Sequence, residues 1–242
     1  MVARATGHEV AGKEKGTDML TIHGAFRSRA TRNIWLLNEM AVPFEHRIVW
    51  QAYRLKDPKA PGAALNTLSP EFLAISPAGA VPVLTDSDAP GFVLSESLAI
   101  NLYICDKFGG VLAGQDARER AEILQWSLYG ATSVEAPALA VQTTHGDGKA
   151  ATAEGQAAIA AAKEKLSRPF GVIDGHLAKG DWLVGGRFTV ADINLAEMVR
   201  YAQAEPGFLA RFPALDAWLK RCQSRPAFQD MWAKRAAEPM SV

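Results

Sequence analysis

The chain is predicted to form a mixed α/β domain followed by an all-α domain, and three observations carry that prediction. Residues 20–49 read as strand, amphipathic helix and strand. Two short apolar runs, Val81-Pro82-Val83-Leu84 and Phe92-Val93-Leu94, flank a turn rich in Asp, Pro and Gly, the pattern of a β-hairpin with a several-residue loop. Beyond Gly109-Gly110 the remaining periodic segments repeat with the helical period.

Composition narrows the classes. With 242 residues, 48% hydrophobic and 21% charged, the chain has enough apolar residues for one large domain or two moderate ones. The 26 basic residues balance the 26 acidic ones, so no bulk field favours nucleic acid or an anionic membrane surface. Cys105 and Cys222 lie far apart in helix-like segments, which fits free thiols in a reducing compartment, the cytoplasm, better than a disulfide framework. The five histidines and two cysteines show no metal-ligand spacing. No apolar run reaches the ~18 residues of a membrane helix. Neither metal, membrane nor nucleic acid is expected as a partner.

In chain order, residues 1–18 are polar and lack both periodicity and the apolar core of a secretory signal, so a loose extension is expected there. The α/β domain is expected over 19–109, a linker over 110–116 and the helical domain over 117–242. Residues 20–24 form a short strand, and 28–41 carry Ala30, Ile34, Leu37 and Ala41 at helical spacing. Val42-Pro43 closes that helix, and alternation over 44–49 gives a second strand, parallel to the first because a helix separates them. Residues 51–72 contain Pro58, Pro61, Gly62 and Pro70 and read as loop with a helical turn near 71–73. Pro82 cannot donate to a ladder, so it belongs where its strand begins or at an edge, leaving the Val81 backbone free for a ligand. The second run ends in Ser95-Glu96-Ser97 before a helical segment reaching about residue 108. Unpaired amides and the positive end of the helix dipole meet there, a place suited to a carboxylate.

The later helices are expected over 117–140, 157–177, 190–204 and 213–223. In the second, Ile159, Leu166, Phe170, Ile173 and Leu177 share a face, and Pro169 is expected to kink or divide it. Thr189-Val190-Ala191-Asp192 reads as a capping box with Asp in place of Glu, stapled by Phe188 and Ile193. Pro213 opens the last helix, which buries Leu215, Trp218, Leu219 and Cys222.

Taken together, the β-α-β unit, the proline-marked hairpin, the helix after it and the helical second domain resemble a soluble (cytosolic) glutathione S-transferase of the serine type, similar to bacterial ones. The resemblance covers about residues 20–234 and implies a thioredoxin-like first domain. It implies that Val81-Pro82 is the family's cis-proline pair, whose valine backbone pairs with the cysteinyl unit of glutathione, and that Glu96-Ser97 grips the γ-glutamyl group. Trp182-Leu183-Val184-Gly185 and the Thr189 to Asp192 box resemble the family's capping motif. Where the family's loop usually reads Asn-Pro-x-Gly-Lys/Gln before Val-Pro, this chain has Ser76-Pro77-Ala78-Gly79-Ala80. The contact to the ligand's glycine carboxylate falls to Arg54 or Lys56.

Ser28, in Ser28-Arg29-Ala30-Thr31-Arg32, resembles the family's catalytic hydroxyl at the start of the first helix. Serine is also a common helix cap, and Arg29 or Thr31 could take the role instead. Trp126 and Tyr129, one turn apart, face either the co-substrate cleft or the core. The implied activity is addition of the glutathione thiol to a hydrophobic electrophile by a homodimer, with glutathione as co-substrate. Isomerisation, peroxidase chemistry, or a non-catalytic glutathione-binding or partner-binding module are the alternatives. The first helix contains no cysteine, which counts against reductive chemistry.

Overall fold

The computed structural model describes residues 19–241; the loose extension expected over 1–18 lies outside them. Strand β1 (Leu20–His23) pairs in parallel with β2 (Phe44–Arg47), Leu20 opposite Phe44. The crossover between them is α1 (Ala30–Glu39), as a parallel pair requires. Strand β3 (Val83–Asp86) starts directly after Pro82 and runs antiparallel to β1, His23 opposite Val83. The hairpin closes with β4 (Val93–Ser95), Val83 opposite Ser95. Spatial order is β2-β1-β3-β4. β2 is shorter than the expected 44–49 because at Ile48 the chain leaves this edge strand. Segment 51–72 holds a 3-10 turn at Ala52–Arg54 and a one-turn helix α2 (Pro70–Leu73). Val49, Phe72 and Val83 form a small cluster of their own.

Helix α3 (Ser97–Phe108) follows the hairpin, and the rest is helical among the described residues. The helix expected over 117–140 is instead two, α4 (Ala117–Tyr129) and α5 (Glu135–Gly146), joined by a π turn at Gly130–Val134. A Cβ on Gly130 would stand 2.8 Å from the Met198 sulfur and 3.0 Å from Leu195 Cδ1. Glycine therefore lets this turn lie directly on α7 (Val190–Val199). Helix α6 (Ala153–Leu177) runs unbroken through Pro169, a correction to the expected division. The carbonyl that Pro169 leaves without a partner belongs to exposed Lys165, where water can satisfy it. Helix α8 (Pro213–Gln223) is as expected, but α9 (Pro226–Ala237) was not read from the sequence. Its signals were present: proline at the first turn, then buried Phe228 and Met231.

The two halves share one core. Trp35 of α1 is fully buried, with the ring of Phe228 at 4.9 Å and that of Phe188 at 6.0 Å, both from the helical half. The stretch expected as linker is fastened: Arg187 donates to the carbonyls of Val111 and Ala113 at 2.9 and 3.0 Å, and Val190 N–H donates to Leu112 at 3.0 Å.

Candidate functional site

Strand directions bring four chain segments to one end of the sheet. β1 and β2 end there, β3 begins there, and β4, antiparallel to β3, ends there. In the order of the strands, the segments are 48–54 after β2, 24–28 after β1, Val81-Pro82 before β3, and Glu96-Ser97 after β4. Neighbouring strands lie ~4.8 Å apart, so this row spans about 14 Å, the scale of an extended tripeptide with two charged ends. The Val81-Pro82 bond is cis. Within the described residues, Val81 N–H and C=O take part in no hydrogen bond. A Cβ on Gly24 would stand 3.3 Å from Val81 Cβ and 3.4 Å from Ser28 Oγ; the glycine, at φ +148°, keeps this space between the two residues open.

At the β4 end, Glu96 has φ +66° and ψ 107°, a conformation that costs a non-glycine residue about 1–3 kcal/mol. Its side chain is exposed and caps no amide of α3. Ser97 is buried, and its hydroxyl accepts from Arg32 Nη1 at 3.1 Å while its carbonyl accepts from Asn33 Nδ2 at 2.8 Å. The hydroxyl proton is thus left to donate. Arg32, 1% exposed, also donates to Glu135 Oε1 at 2.7 Å, and Arg29 reaches the same oxygen at 2.5 Å. Burial pushes the Glu135 carboxyl up, but the Arg32 and Arg29 guanidiniums more than reverse it, and the net shift is downward. A side chain of the helical half thereby holds the cation that holds Ser97. The sequence gives no local signal for this arrangement, because the π turn that precedes Glu135 sets where its carboxylate falls.

Ser28 lies two residues before α1 and not in its first turn. Its hydroxyl donates to Ala25 C=O at 2.6 Å and accepts from Ala30 N–H at 3.1 Å, so in this state its proton is committed to the backbone. Thr31 is fully buried and donates to Glu197 at 2.6 Å, which removes it from reach of a ligand. Burial disfavours the Arg29 charge, but the pair with Glu135, with help from nearby Glu96, raises its pKa overall. Arg54 is buried and faces the C-terminal residues, whereas Lys56 is exposed.

For Trp126 and Tyr129 the sequence leaves the co-substrate cleft and the core open, and the packing around Trp126 favours the core. The Trp126 indole is 6% exposed and packs 4.8 Å from the His176 ring of α6, with Tyr129 edge-on at 5.8 Å. Trp126 thus packs against α6, with half-buried Tyr129 beside it. Helical spacing identifies a shared face but not the helix it meets. The Thr189–Asp192 capping box is formed. Asp192 accepts from Thr189 N–H at 2.8 Å, Leu183 N–H at 3.1 Å and Trp218 Nε1 at 2.8 Å; burial nevertheless pushes its pKa up to about 6. Cys105 and Cys222 are free and buried, and burial pushes the Cys105 thiol up to about 12, so neither serves as a nucleophile. Among the described residues no group of three or more His, Cys, Asp or Glu side chains could hold a metal ion, and no helix is long and apolar enough to cross a membrane. A cleft of about 540 Å³ lined by Lys163, Glu205 and Arg211 lies on the helical half and contains none of the residues named for the site.

Comparison with known proteins agrees with this geometry. Residues 26–107 match the model of the glutathione S-transferase N-terminal domain, and residues 126–226 that of its C-terminal domain. The solved structure of glutathione S-transferase III in apo form is 30% identical, covers 91% of this chain and 98% of its own, and superposes with a TM-score of 0.71. A glutathione transferase family member from Pseudomonas fluorescens Pf-5, solved with two glutathione bound, is 26% identical over 88% of this chain and 91% of that one, TM-score 0.72. Elongation factor 1-gamma of Equus caballus is 34% identical over 168 residues. That match takes in 66% of this chain but 36% of the factor, so the chain spans little more than a third of the length of such curated relatives.

Proposed function

The chain belongs to the glutathione S-transferase family, and from that premise we propose that it binds glutathione along the row of four segments and activates the thiol for addition to an electrophilic small molecule. The observation that carries this reading is Val81, whose backbone donor and acceptor have no partner among the described residues and lie beside Gly24 and Ser28. In this reading the cysteinyl unit pairs with that backbone. The γ-glutamyl carboxylate takes the Ser97 hydroxyl and the amides of the first turn of α3, where charge-assisted hydrogen bonds are about twice as strong as neutral ones.

A thiol of pKa ~8.5 is only a few per cent ionised at pH 7. Turning the Ser28 hydroxyl from Ala25 C=O to the sulfur, while it still accepts from Ala30 N–H, gives the thiolate a donor at the positive end of α1. A drop of ~2 units, worth ~2.7 kcal/mol, makes thiolate the majority form. Serine does this without ionising. Ser28→Ala is expected to lower turnover ~10–100-fold with affinity nearly unchanged. Ultraviolet absorbance of the bound thiolate against pH checks this; an identical titration in both proteins would transfer the role to Arg29.

The second reading, a glutathione-binding or partner-binding module without turnover, is favoured by two observations. The Ser28 proton is already held by Ala25 C=O at 2.6 Å, and several curated relatives carry the name elongation factor 1-gamma. Binding without thiolate at any pH and without turnover on several electrophiles would select it. We further place the protein in the cytoplasm as a homodimer, each thioredoxin-like domain against the partner's helical domain. Exposed Val93, Phe108, Leu124 and Leu128 supply apolar area for such a contact, and a monomer mass by light scattering at micromolar concentration would remove the dimer.

A further inference from the structure

Past the end of α9 the chain turns extended and lays residues 238–240 on the candidate site. Glu238 Oε1 accepts from Phe26 N–H at 2.8 Å, and Oε2 accepts from Arg27 N–H at 2.7 Å and from Arg54 Nη1 at 3.2 Å. Two consecutive amides and a guanidinium on one carboxylate form a complete anion seat. Glu238 is 8% exposed and Arg54 7%. The backbone joins in. Glu238 C=O accepts from Arg27 Nε at 2.8 Å, Met240 C=O from Arg54 Nε at 3.1 Å, and Pro239 C=O from Arg54 Nη2. From α9, Arg235 donates to Phe26 C=O at 2.6 Å.

The position of this seat is what gives it meaning. Phe26 and Arg27 immediately precede Ser28, and Gln51 ties the segments together by donating to Arg27 C=O at 3.1 Å while accepting from Arg54 at 3.2 Å. The seat therefore lies at the β2 end of the row, as the open start of α3 lies at the β4 end. An extended tripeptide with a carboxylate at each terminus, its middle on Val81 and one carboxylate at Ser97, directs the other toward Arg54.

We propose that Glu238 is an internal competitor: its carboxylate fills the place the ligand's second carboxylate would take, and residues 238–240 leave Arg54 when glutathione docks. The inference rests on the glutathione reading above and adds a control element that this reading does not contain. In the resting chain residues 238–240 close the seat, so the ligand gains only the difference between its own carboxylate and that of Glu238.

The test uses the full chain with Glu238→Gln and Glu238→Ala, each shown to be folded by circular dichroism. Calorimetry is run with glutathione and with its glycine monoethyl ester, which lacks the second carboxylate charge. The wild-type protein should bind acid and ester within about 2-fold of each other. Both variants should bind the acid 3–10-fold more tightly than wild type, with ester affinity unchanged. Equal or weaker acid binding in both variants, or equal changes for acid and ester, would overturn the competitor and leave Glu238 as a strap between α9 and the first domain. If no protein binds either ligand, the glutathione reading itself fails, and the competitor with it.

Discussion

Two helix starts in this molecule answer the same electrostatic problem in opposite ways. At α7 the unpaired amides are closed from within: Asp192 reaches back to Thr189 N–H and also takes Leu183 N–H and the Trp218 indole, all buried. At α3 the capping residue is Glu96, whose side chain points into solvent from a backbone at φ +66°. A helix N-terminus attracts anions wherever it occurs. The comparison teaches that the first start is spent on stability and the second is kept available, at a conformational cost.

If that contrast is right, the largest effect belongs to Asp192→Ala. It strands four buried donors, Thr189 N–H and hydroxyl, Leu183 N–H and the Trp218 indole, and should lower stability by about 3–5 kcal/mol, a fall in Tm on the order of 10 °C. The pH dependence sharpens it. Asp192 holds its proton up to about pH 6 in the fold but only to about pH 4 in the unfolded chain. Between these values the folded state binds more protons, so this residue's contribution falls as pH rises through the window. Denaturation of wild type and Asp192→Ala across that window should show a gap that narrows from pH 4 to pH 6; a constant gap would mean an ordinary carboxylate.

At the other start, Ser97→Ala is expected to weaken glutathione about 10-fold, ~1.4 kcal/mol, since it removes a donor to the ligand and unpairs Arg32 Nη1. Wild-type affinity in both this variant and Glu96→Ala, measured by calorimetry, would place the ligand elsewhere. The smallest effect is the most discriminating. Glu96→Gly relieves the left-handed backbone and should stabilise the protein by up to about 1 kcal/mol while weakening binding. Loss of both stability and binding would show that the Glu96 side chain, and not its backbone, is what the start of α3 depends on.

The difference between the two starts also marks what could be read in advance. Thr189 and Asp192 announce themselves because both partners lie within one turn, and the hairpin and Val81-Pro82 do so through local turn chemistry. Ser97 was legible as a residue type at a helix start, but its anchor Arg32 and the anchor of that anchor, Glu135, are joined only by the folded chain, 103 residues apart in their shared bond. Trp126 and Tyr129 are legible as one face of a helix, but their spacing leaves open whether that face meets the core or the cleft, because the His176 ring that Trp126 packs against lies on another helix, α6. Helix α9 carries a local mark in Pro226 at its first turn, but the role of Glu238 is not legible, because its seat lies 211 and 212 residues away in sequence.

The fastening of residues 111–113 by Arg187 and Val190 bears on how this fold can be recombined. A cut between Gly109 and Gly110 would leave two pieces still held together, since Trp35 of the first is enclosed by the rings of Phe188 and Phe228 of the second, while residues 111–113 stay tied to Arg187 and Val190 within the second piece. Arg187 and the carbonyls it binds travel together on the second half, so exchanging either half for that of a relative would succeed only if the Trp35 indole and the pocket formed by Phe188 and Phe228 still matched.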